Sequence, residues 1–166
     1  MAIKWQPPDG AFSHTLGKAG GGGIVRDLAG KMLVAFATPL QAHSALEAEL
    51  KAIHHGLILA KEFNHPIWLE VDCEQALNLL NGVSWGPPQV RHDVARLIVL
   101  KRQITLRASF IHREGNNVVD SLAKMGTEKT DYQRMTASSA PRLVRAMVRM
   151  EEMGMPNIRI RGEDPT

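Results

Sequence analysis

Apolar positions lay out the elements of this chain. From Ser44 onward they recur with a period close to 3.6. Leu46, Leu50, Ile53 and Leu57 fall on one stripe, and Ala60 extends it. The neighbouring row is Ala45, Glu49, Ala52 and Gly56, small apart from one carboxylate. Small side chains let a helix backbone lie close on a sheet, so this row turns Glu49 inward. Glu47 falls instead with Lys51 and His54 on a polar face, expected to be solvated. The helix runs to about Phe63, where Asn64-His65-Pro66 breaks it. A carboxylate at the edge of an apolar face is costly unless a bound cation or an Arg or Lys partner compensates it.

The flanking segments switch to strand patterns. Gly23 to Arg26 and Lys31 to Ala37 are apolar and branched, and the turn Asp27 to Gly30 joins them into a hairpin that Pro39 ends. The glycine-rich run Gly17 to Gly23 lacks the Gly-Lys-Ser/Thr ending of a phosphate loop. It reads as a flexible turn feeding a strand whose backbone is closely approached. Ile67 to Val71 reads as a buried strand with Asp72 at its carboxyl end, followed at once by a helix through Ala76, Leu77, Leu79 and Leu80. Gln89 to Arg102 reads as an amphipathic helix and Ile104 to Ile111 as a last strand. His112 to Asn117 is a polar loop, and Val118 to Met125 a short helix that Gly126 can cap. A hairpin followed by strand–helix units implies a mixed sheet with helices packed on it. In such sheets sites gather beyond the carboxyl ends of the parallel strands.

Thr127 to Ser139 is polar and reads as a linker. Pro141 to Met153 places Leu143, Val144, Met147 and Met150 at helical spacing among Arg142, Arg145 and Arg149. This tail helix either packs on the domain or offers a basic face to nucleic acid. The chain therefore divides into a domain over residues 1–128 and a linker with tail helix over 129–166.

Composition adds less. The chain has 166 residues, 44% hydrophobic and 22% charged, the profile of a globular protein with a proper core. The formal net charge of +3 permits a polyanionic partner without demanding one. The one cysteine, Cys73, rules out an intrachain disulfide and points to a reducing, intracellular compartment, cytoplasm or nucleus. No signal-peptide core and no membrane-spanning apolar run is visible, so no membrane partner is expected.

Four carboxylates stand out in this layout: Asp9, Glu49, Asp72 and Asp120. Each has a local explanation. Asp9-Gly10 is a turn signal. Asp72 can N-cap the following helix, with Gln75 completing a capping box. Asp120 suits a helix N-terminus electrostatically.

The order and spacing of several stretches resemble a known family. They are Asp9-Gly10-Ala11-Phe12-Ser13, Gly17 to Asp27, Leu46-Glu47-Ala48-Glu49-Leu50, Glu70-Val71-Asp72-Cys73 and Arg113 to Gly126. Over nearly its whole length the chain resembles the type 1 ribonuclease H fold, and more narrowly the plant ribonuclease H-like domains related to retroelement reverse transcriptases. The resemblance implies an α/β fold with a five-stranded mixed sheet, its first three strands antiparallel, flanked by helices. It also implies that Asp9, Glu49, Asp72 and Asp120 form a catalytic, metal-binding quartet. Such hard oxygen ligands suit two Mg²⁺ or Mn²⁺ ions, about 3.5–4 Å apart, that hydrolyse the RNA strand of an RNA–DNA hybrid. His112 would move protons, Arg113 would steady a phosphate, and Ser44 would face the ribose. Scattered Lys and Arg would carry phosphate contacts to the hybrid. The expected state is a monomer or part of a longer polyprotein.

One departure supports an alternative. Trp5-Gln6-Pro7-Pro8 stands where the family has an apolar first strand leading into Asp-Gly. A chain with a truncated first strand would be a catalytically impaired nucleic-acid-binding module, or a retroelement remnant.

Overall fold

The computed structural model describes residues 18–112 and 117–153, together with the backbone of residues 2–5. Its elements follow in order: β1 (Ala2–Trp5), β2 (Lys18–Arg26), β3 (Met32–Gln41), α1 (Ala45–Lys61), β4 (Ile67–Val71), α2 (Glu74–Leu80), α3 (Arg91–Lys101), β5 (Leu106–Phe110), α4 (Asn117–Glu128), β6 (Gln133–Thr136) and α5 (Arg142–Glu152). The sheet has six strands in the order β5-β4-β1-β2-β3-β6. β1, β2 and β3 are antiparallel in succession, while β4 runs parallel to both β1 and β5.

The five expected strands are joined by a sixth. β6 lies inside the stretch read as a linker and pairs with β3 from Val34 to Ala37. Only Met135 of its four residues is buried, so no alternation marks it in the sequence. Around it, Tyr132 stacks on Phe36 and His55, at 5.8 and 5.7 Å between ring centroids. Arg134 pairs with Glu62 at 2.6 Å.

The glycine run is strand rather than flexible turn, because both sheet faces need it bare. A Cβ at Gly20 would lie 2.1 Å from the Ala123 carbonyl oxygen, and one at Gly22 2.5 Å from the Ala123 nitrogen. A Cβ at Gly21, on the opposite face, would touch the Ala52 Cβ at 3.0 Å. α4 therefore rides on one face of β2 and α1 on the other. Gly126 belongs to this packing as well. It sits inside α4, against the Thr38 backbone, and the helix runs on to Glu128 instead of being capped there. Pro39 likewise does not end β3, which continues to Gln41. β6 covers β3 only as far as Ala37, so at Pro39 the strand is an edge, where a missing donor is tolerated.

The core lies between sheet and helices. Leu50, Ile53 and Leu57 of α1 are buried to within 1% exposure, each contributing about 1.5–3 kcal/mol of burial. The tail helix α5 packs on the domain through Val144 and Val148. It is also tied to β2 by the Arg26–Glu151 ion pair, and Arg26 bonds the Gly30 carbonyl at 2.9 Å.

Candidate active site

β1 and β4 run in parallel, with Trp5 opposite Val71, and β5 flanks β4 on its other side with Phe110 opposite Val71. Asp72 is the next residue after Val71, so it stands at the carboxyl end of a strand with a parallel neighbour on each side. The helix that follows takes Cys73 as its N-cap, with no side-chain cap bond. Asp72 is thus not the cap, and the capping box with Gln75 is not formed. The Ile67 N–H, bonded to the Thr105 carbonyl at 2.8 Å, fixes the chain's entry into β4, and the Ile111 N–H, bonded to the Val71 carbonyl at 2.9 Å, fixes its exit.

Glu49 is carried by α1, which follows β3 at this same end of the sheet. The start of that helix is set by Ser44, whose hydroxyl accepts the Glu47 N–H at 3.1 Å. Glu47 answers by accepting the His43 N–H at 2.7 Å and the Lys51 ammonium at 2.9 Å. Burial works to raise the Glu47 carboxyl, but these two donors hold it below its ordinary value. Glu47 was expected on a solvated face. It lies on the polar row, yet its capping bonds draw it under the β3–α1 loop, and it is nearly buried. Two residues further on, about half a turn round, Glu49 is 1% exposed, on the row that Ala52 continues against β2. The inward turn of Glu49 is as the helical period requires, while Glu47 departs from it, drawn in from the polar row by its bonds to His43 and Lys51.

Asp120 stands in the first turn of α4. It pairs with Lys124 one turn on, at 3.2 Å. That partner went unnoticed in the sequence, although its i, i+4 spacing was there to be read. His112, two residues beyond β5, is exposed and meets the edge of the Phe110 ring at 5.2 Å between centroids. Ser44 is occupied as the cap of α1. Asp9 and Arg113 lie outside the described residues.

Among the described residues, no three His, Cys, Asp or Glu side chains form a group able to hold a metal ion. The donors at this end of the sheet are carboxylates, nevertheless, and Mg²⁺ is commonly held by one or two of these with waters and substrate phosphates completing its shell. The donor set fits such an ion in kind.

The fold and this site define a ribonuclease H-like domain. Its chain belongs to the reverse transcriptase-like family, whose profile matches residues 7–126. An Arabidopsis thaliana protein with a provisional ribonuclease H name is 34% identical over 119 residues, which are 69% of this chain and 19% of that protein. The chain thus spans about a fifth of the length of the curated relative it matches. Among solved structures, ribonuclease H1 of the halophilic archaeon Halobacterium salinarum superposes with a TM-score of 0.68 at 18% identity, over 76% of this chain and 96% of that one. LC11 ribonuclease H1, in complex with an RNA/DNA hybrid, does so with the same TM-score and coverage at 19% identity. No helix among the described residues is long and apolar enough to cross a membrane.

Proposed function

We propose that this domain hydrolyses the RNA strand of RNA–DNA hybrids in a divalent-metal-dependent reaction. The observation that carries the reading is the position of Asp72: at the carboxyl end of β4, between two parallel neighbours and not spent on capping α2. The name of the Arabidopsis relative and the hybrid bound to LC11 ribonuclease H1 point the same way.

In this reading Glu49, Asp72 and Asp120, with Asp9, hold one or two Mg²⁺ or Mn²⁺ ions. Bound there, the ions lower the pKa of the attacking water and neutralise charge on the leaving oxygen. The protein's own residues do the rest. α1 and α4 bring Glu49 and Asp120 in from opposite faces of the sheet, so substrate is engaged at the strand ends. Lys124 neutralises Asp120 until a ligand claims it. His112, exposed past β5, exchanges a proton with the departing 3′ oxygen, and Arg113 steadies the phosphate.

A second reading is favoured by the sequence Trp5-Gln6-Pro7-Pro8 that precedes Asp9. If Asp9 does not join the other carboxylates, the domain binds nucleic acid without cutting it. Purified chain incubated with a labelled hybrid, in Mg²⁺ and in Mn²⁺, separates the two. Cleavage lost on Asp72→Asn supports the hydrolase. Binding without cleavage in either metal supports the impaired module.

A further inference from the structure

The same end of the sheet carries a second feature, away from the carboxylates. β2 runs antiparallel to β1, and β1 parallel to β4, so the first residue of β2 lies at the end where β4 terminates. That residue is Lys18, paired with Gln41 at the end of β3. Beside it the carboxyl end of α4 delivers Thr127, and the chain beyond it Lys129 and Thr130. Together they enclose a cavity of about 230 Å³ floored by Pro39 and Leu40.

Four lysines, Lys51, Lys61, Lys101 and Lys124, are each bonded to an acceptor, while Lys31 stands apart from this cavity. Among the described residues neither Lys18 nor Lys129 has an ion-pair partner, yet both line one cavity. Lys129 alone would only offset the carbonyl pole of α4. Lys18, from the opposite wall, has no such duty. The Thr127 hydroxyl is committed to the Lys124 carbonyl at 2.6 Å. The Thr130 hydroxyl donates to Asp131 at a long 3.4 Å. Two cations without an ion-pair partner on the walls of one small pocket match the chemistry of a phosphodiester.

We infer that this cavity grips a backbone phosphate of the nucleic acid bound at the candidate active site, an assignment that rests on the nucleic-acid reading of that site. In strand order Lys18 is two places from β4, a lateral offset of about 10 Å at ~4.8 Å per strand. It also lies four residues past the position level with Asp72, about 13 Å along the strand, so the separation is about 16 Å, roughly five base-pair rises along a duplex. The phosphate held here is therefore not the scissile one. It fixes the register of the strand on the domain.

The test measures binding of a labelled RNA–DNA hybrid to the full chain in EDTA, where nothing is cut, across a series of salt concentrations. The variant is Lys18→Gln with Lys129→Gln. The control, Arg142→Gln with Arg145→Gln on α5, removes the same charge elsewhere. The expected result is about tenfold weaker binding for the lysine variant at 0.1 M salt, and a log–log salt slope shallower by about one. The arginine control should keep the slope. Equal losses in both variants, an unchanged slope, or no binding by the unsubstituted chain each overturn the inference. A parallel titration with inorganic phosphate, followed at the Ala19 and Thr130 amides, separates the sources. Response to free phosphate with lysine-independent hybrid binding means that the cavity serves a small anion, and overturns the assignment too. Lysine-dependent binding without cleavage in metal leaves this site standing while the hydrolase reading falls. Cleavage and binding that both ignore the lysines do the reverse.

Discussion

The two ends of the sheet are built from different materials. At the end where β4 and β1 terminate stand Asp72 and the start of α1, with the lysine-lined cavity to one side. At the other end, where the β2–β3 turn meets the α1–β4 connection, lies a cavity of about 570 Å³. It is walled by Leu28, Leu33, Phe63 and Pro66, with Asp27 and His65 as its polar members. The larger hollow is the one without the chemistry. Asp27 there is consumed by its own turn, accepting the Ala29 and Lys31 N–H groups at 2.9 Å each. Volume marks where the packing is incomplete. The direction of the strands marks where polar groups converge.

The sharpest test of that contrast is Asp72→Asn. Asparagine keeps the size and removes the charge, so folding should be unchanged or slightly improved as carboxylate repulsion falls. Hybrid cleavage should drop by more than about 100-fold, beyond what is typical of changes one shell out from a metal. Cleavage equal to that of the unsubstituted chain would remove Asp72 from the site. Phe63→Ala, at the opposite end, should show the converse pattern. It should cost about 2 kcal/mol in denaturant unfolding, since the ring is only partly buried, and leave cleavage per folded molecule intact. A loss of turnover there would mean that the two ends are coupled.

Glu47→Gln sets frame against interior within α1. It weakens the bonds to the His43 N–H and Lys51, for about 1 kcal/mol of stability, while activity per folded molecule is retained. Its pH dependence carries a sign. The folded Glu47 carboxyl lies below its ordinary value of 4.5, so its contribution is present above that value and is lost as pH falls through the lower, folded one. Unfolding free energies taken stepwise from pH 6 to pH 3 should therefore fall more gently in Glu47→Gln. Parallel curves would deny Glu47 its part in the acid transition. The smallest effect belongs to Leu28→Ser. Leu28 is 97% exposed at the rim of the large cavity, and its loss should change stability by less than about 0.5 kcal/mol and cleavage not at all.

The same contrast explains what could be read from the sequence. The helical period places Glu49 inward because four apolar positions define a face, but it misses the burial of Glu47, which comes from capping bonds the period does not record. Ile67 to Val71 was legible because Ile67, Leu69 and Val71 are branched, apolar and buried in alternation. The glycines of β2 were misjudged because a glycine records only that something comes near, not which helix does. β6 escaped notice because an edge strand with one buried residue has no period to detect. The first strand depends on a pairing between residues far apart in the chain, Trp5 with Val71, which no local pattern can state.

β6 has a consequence for handling the protein. It shields the β3 edge over Val34-Ala35-Phe36-Ala37, a short, uncharged, β-prone run. A fragment ending at residue 128, where the helix α4 stops, would bare that edge and its row of unpaired N–H and C=O groups. Such an edge is a template for another chain. The fragment should be prone to self-association and fibril formation, read as concentration-dependent light scattering absent from the longer chain.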